Sequence, residues 1–150
     1  MFKYLIFTGL SVAPFMSGPA FGQSAANPDR EIEIYMSAAI ACSKAVQQGG
    51  YAAGTETDCF EVKRLLDDII NSGEPMTPHV KNYAVLADIL VYQTISTVYA
   101  KIEGIGSTHG CQIVRDSRAV SAQYVNGETP EADLTMSKIV GGIDELGKSC

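Results

Sequence analysis

Residues 82–100 read NYAVLADILVYQTISTVYA. The stretch is apolar nearly all round a helix, and what it is for decides the fold. A helix of this kind is either a membrane span or the buried centre of a bundle. Asp88 sits in its middle, and an aspartate there costs about 2.5–3.5 kcal/mol in a bilayer. Gln93, Thr94, Ser96 and Thr97 add to that cost. The stretch is therefore expected to be the central helix of a bundle, with Asp88 and Gln93 seeking hydrogen-bond partners inside the protein. Their polar face is also a candidate ligand pocket.

The flanking sequence supplies helices to surround it. Asn27-Pro28-Asp29, Thr77-Pro78-His79 and Thr129-Pro130-Glu131 share one grammar, a capping side chain before a proline. The cap accepts a bond from an orphan amide, and proline at the first helical position gives up no bond because its N–H had no partner there. Asp58, with Glu61 three residues on, reads as a fourth start of the capping-box type. Gly49-Gly50, Ser72-Gly73, Gly104 and Asn126-Gly127 read as stops. Apolar residues step by three or four along Ile32, Tyr35, Ala39, Cys42 and Val46, and again along Met136, Ile139, Ile143 and Leu146. Runs of period two are absent. The spacing predicts helices near 28–47, 58–72, 78–103, 111–125 and 130–148: an all-α fold, a five-helix bundle.

The N-terminus reads as a signal peptide. Lys3 is the only charge before Asp29, YLIFTGLSVAPFM (4–16) is an apolar core, and SGPAFGQSAA (17–26) supplies small residues for cleavage. The favoured cut follows Gly22, with Ala26 the alternative. Residues 1–22 are then a leader and 23–150 a single helical domain, periplasmic or secreted. Its 128 residues suffice for one core. Removing the leader takes away Lys3 and no acid, which leaves 10 basic and 17 acidic residues and a net charge of −7. That balance argues against nucleic acid or a membrane surface as partner.

Cys42, Cys59, Cys111 and Cys150 all lie after the leader. An even number of cysteines in an exported chain points to two disulfides. Cys42 is on the stripe of the first helix and Cys59 opens the second. The short connection QGGYAAGTETD (48–58) forces the two helices antiparallel, so residues equidistant from the turn meet. The same geometry pairs Cys111, opening the fourth helix, with Cys150, closing the fifth. Two stapled hairpins then flank the central helix.

Little else suggests chemistry. No C-x-x-C pair suits zinc, the leader-free chain has only Met36, Met76 and Met136 for a soft metal, and no cofactor motif occurs. The loop GIGSTHGC (104–111) lacks the glycine and lysine spacing of a phosphate cradle and reads as a connection capped by Ser107 or Thr108. His79 reads as an exposed first-turn residue. His109 is the candidate acid–base group, Arg115 and Arg118 a candidate anion site, and Asp67-Asp68 and Asp144-Glu145 solvated faces. The best-supported expectation is a non-catalytic module that binds another protein, as an inhibitor, adaptor or chaperone would. The alternatives are a small hydrolase using His109 or an isolated carboxylate, and a carrier of a small apolar ligand beside Asp88 and Gln93.

Overall fold

A computed structural model describes residues 27–150. The predicted leader, residues 1–22, lies outside them. The described chain is all-helical, with five α-helices: α1 Pro28–Gln48, α2 Thr57–Asn71, α3 Pro78–Ile102, α4 Thr108–Ser121 and α5 Pro130–Leu146, followed by a 3-10 turn at Gly147–Ser149. Three starts follow the cap-then-proline grammar. Asn27, Thr77 and Thr129 each accept from the amide three residues on, at Arg30, Val80 and Ala132. This satisfies one orphan donor per helix, typically worth about 1 kcal/mol.

α3 is the axis. The other four helices pack on it, and Val80, Val85, Ile89, Val91, Ile95 and Val98 on it are fully buried. Its length and apolarity match a membrane span, yet those side chains are spent on packing against α1, α2, α4 and α5. The hydroxyls that would burden such a core turn back on their own helix. Thr94 donates to the Leu90 carbonyl, Ser96 to Tyr92 and Thr97 to Gln93. Each is satisfied without an external partner.

Contacts between helices give the directions. Lys101 stands over the Tyr51 ring and Phe60 meets Tyr99 edge-on, so the α1–α2 turn lies at the C-terminal end of α3. Asn82 binds Val125, so the α4–α5 turn lies at its N-terminal end. The bundle alternates direction from helix to helix. Both hairpins are stapled as the spacing predicts: Cys42–Cys59 at a Cα separation of 5.2 Å and Cys111–Cys150 at 5.5 Å.

Two helices, α2 and α4, differ from expectation at their ends. Asp58 does not cap α2. The helix starts at Thr57, Glu56 precedes it without capping it, and the Glu56 carboxylate takes the Gly54 amide instead. Asp58 lies in the first turn, where an acid favours the helix dipole, and Glu61 is engaged by Arg64 rather than folding back. α4 runs 108–121 rather than 111–125. Ser107 caps it early by accepting from Gly110. It ends early because Asn82 takes both the amide and the carbonyl of Val125, at 3.0 and 2.9 Å, which pulls that residue off the helix path.

The staples close loops of 17 and 39 residues. Replacing Cys42 and Cys59 by serine should lower the unfolding free energy by about 3 kcal/mol, and replacing Cys111 and Cys150 by about 4, on the loop-entropy estimate. Urea unfolding of the two double variants checks both the size and the order.

Candidate functional site

The polar residues that the fold gathers most tightly lie between α2 and α3. α2 buries Leu66, Ile69 and Ile70 against α3, which turns Lys63 and Asp67, one helical turn apart, along the edge of that stripe. Lys63 Nζ lies 2.6 Å from Asp67 Oδ2, with the two side chains only 18% and 25% exposed. The same ammonium stands 4.6 Å from the centre of the Tyr92 ring, and the Tyr92 hydroxyl donates to Asp67 at 3.3 Å. Beneath them, one turn before Tyr92 on α3, is Asp88. It is wholly buried, and its oxygens accept no hydrogen bond; the group it can share a proton with is the Asp67 carboxyl.

The electrostatics follow from that stacking. Burial pushes the Asp88 carboxyl up to about 9, the neighbouring Asp67 carboxyl adds to the rise, and Lys63 opposes it. Asp88 is therefore protonated at neutral pH. Burial also raises the Tyr92 phenol above its usual range. Burial works against the charge of Lys63, but hydrogen bonds to Asp67 and Tyr92 outweigh it and hold the ammonium more firmly than in water.

The residues singled out from sequence do not converge. Asp88 belongs to the α2–α3 cluster. Gln93 points to α5, where its amide approaches Gly142 so closely that a Cβ there would lie 2.4 Å from Nε2. His109 stands at the other end of the molecule from the α4–α5 turn, with Nδ1 2.8 Å from Glu103 and its ring 5.5 Å from that of Tyr99. Arg115 bonds Gln112 on its own helix, and Arg118 faces Asp144 on α5 at 3.7 Å, so the two arginines do not form a common anion site. The adjacent acids divide: Asp68 is exposed and pairs with Arg64, whereas Asp67 turns inward. His79 is not merely exposed, for its Nδ1 pairs with Glu128 and its ring meets Tyr83 edge-on.

His109 with Glu103 has the composition of an acid–base pair. Its side chain is 69% exposed, and among the described residues no hydroxyl or thiol is hydrogen-bonded to it. A hollow beside α3, lined by residues including Ser96, Gly106, Val114 and Leu146, has a volume of about 10 Å3, room for about one water. Among the described residues no three His, Cys, Asp or Glu side chains gather as a metal site would need.

Lys63, Asp67, Tyr92 and the His79–Glu128 pair were not foreseen as site residues. The signal for the first three was present as the four-residue steps Lys63–Asp67 and Asp88–Tyr92. His79 and Glu128 are 49 residues apart, and nothing local joins them.

Fold and site together define a disulfide-stapled helical bundle with a charged cluster inside its α2–α3 interface. Comparison of the chain with family models, with curated proteins and with solved structures finds no match.

Glu128 ties α3 to the α4–α5 turn. Its carboxylate is held below the usual range, chiefly by the hydrogen bonds from His79 and Asn82. A depressed carboxylate contributes stability that is present above its unfolded value, near 4.5, and lost as pH falls below that. Glu128→Gln should lower the melting temperature at pH 7 and flatten the acid limb below about pH 4.5. Melting curves from pH 7 down to 3 test this.

Proposed function

We propose that the chain is exported, loses residues 1–22 and acts outside the cytoplasm as a non-catalytic module that binds another protein. The disulfides fit an oxidising compartment. The observation that carries the binding proposal is Ile105. It is 62% exposed between Gly104 and Gly106, both at positive φ, in a loop that the Cys111–Cys150 staple holds in place. A Cβ on Gly106 would lie 3.0 Å from Ser149 beside that staple, so the loop is braced from behind. Ile102, 40% exposed, stands at the same corner. A firmly held apolar side chain in water is a cost that a binding surface explains.

The partner that suits this corner has an apolar recess with a basic rim, to match an acidic body of net charge −7 after removal of the leader. The carrier alternative needs a cavity of about 300 Å3 or more beside Asp88 and Gln93, and the small hollow beside α3 is lined by neither residue. The hydrolase alternative would need His109 to work on open surface without a positioned nucleophile.

The test compares tagged wild-type chain with Ile105→Asp in extracts of the producing cell's envelope. The variant should fold with unchanged circular dichroism and lose at least about tenfold in affinity for the captured protein, since it removes a central anchor. Equal capture by the two chains, or no capture above background, would sink the proposal.

A further inference from the structure

Asp88 is the one feature of the interior that packing does not explain. An asparagine or leucine would fill the place without a titrating group, yet the protein puts a carboxyl there whose oxygens accept no hydrogen bond, with a second carboxyl, Asp67, close enough to share its proton. From α2, Asp67 and Lys63 act on it; on its own helix, Tyr92 senses its charge. No charged side chain of α1, α4 or α5 is buried, and none acts on Asp88.

We propose that Asp67 and Asp88 form a one-proton site that makes the seating of α2 on α3 depend on pH. With one proton on the pair, α2 is held against the core. When Asp88 gives that proton to solvent hydroxide, two carboxylates share the interface with a single ammonium, Lys63, which is already bonded to Asp67. Two carboxylates in a partly buried interface, with Asp67 only 25% exposed and Asp88 wholly buried, repel one another. The Cys42–Cys59 staple fixes the first turn of α2 to α1. The half that can move is therefore the other one, carrying Leu66, Asp67, Ile69 and Ile70 and followed by Gly73 at φ 74.

The sign of the effect is set by the raised carboxyl. The folded chain keeps a proton that the unfolded chain releases near 3.8, so this contribution is full below that value and is lost as pH rises through about 9. Glu61, Glu128 and Asp133 act oppositely, being depressed, and lose their contribution only below the ordinary carboxylate range. The bundle is thus tightest in mild acid. The device operates whatever protein docks at Ile105.

The test is a carbon-13 NMR titration of the oxidised protein labelled at aspartate, with amide exchange measured alongside. The Asp88 carboxyl should titrate at about 9, and in Asp67→Asn its midpoint should fall by about one unit or more. From pH 7 to pH 9.5, amides of residues 66–71 should lose about tenfold or more in protection after correction for intrinsic exchange, while those of α5 stay constant. In Asp88→Asn that loss should vanish. An Asp88 midpoint near that of a free carboxyl, or the same pH dependence of α2 protection in wild type and Asp88→Asn, overturns the proposal. If Asp88→Asn does not fold, the comparison with Asp67→Asn decides it.

Discussion

The fold depends on the need to cover α3 on all sides. A helix with apolar side chains round most of its circumference has no face to offer water, and α1, α2, α4 and α5 each present one stripe to it. None of the four could bury its own stripe without α3. Thr94, Ser96 and Thr97 are compatible with that position only because a hydroxyl can bond the carbonyl one turn back. A carboxyl that stays ionised would have no such recourse; Asp88 avoids the cost by keeping its proton, which Asp67 is placed to share.

A small bundle around one helix is held by few contacts at its ends, and the stabilising devices sit there. The α1–α2 turn is clamped by Cys42–Cys59 and by Lys101 over Tyr51. The α4–α5 turn has no disulfide; Asn82 and Glu128 bind it to α3, while Asp133 accepts from Tyr124 and from the Gly127 amide. The corner where α3 passes into α4 is tied by Cys111–Cys150. Three of the four connections thus carry a long-range tie, and the α2–α3 connection, with only local bonds at Asn71 and Ser72, is the exception.

Much of this was legible in the sequence because it is local. Caps before proline, glycine stops and stripes of period 3.6 act within one turn, and they placed four helix starts to within a residue and a fifth to within three. The disulfide pairing was legible for the same reason, since a short connection fixes which residues face one another. Some errors are local, as at the starts of α2 and α4, and others arise where a distant residue takes over. α4 stops early because Asn82, 43 residues upstream of Val125, claims its backbone. Asp67 and Asp68 looked alike in sequence, but neighbours on a helix point about 100° apart, so one meets Arg64 in water and the other meets α3. The surroundings of Asp88 come from a different helix, and no spacing within residues 82–100 announces them.

Interior and surface divide the work. Sequence-level rules agree with one another over nearly the whole chain, and a chain that obeys them so widely breaks them at a site with another purpose. Two of the breaks are a carboxyl where the core wants carbon and an isoleucine on a braced loop, Val125 and Leu134 being comparably exposed elsewhere. The first is wholly buried beneath Asp67 and Tyr92, so what changes there is the proton it carries. The second is open to water on a braced loop, so only a surface of comparable shape can cover it. One break suits a response to surroundings and the other a contact, and α3 leads from one to the other, with Asp88 in its middle and Ile105 in the loop that follows its last residue, Ile102.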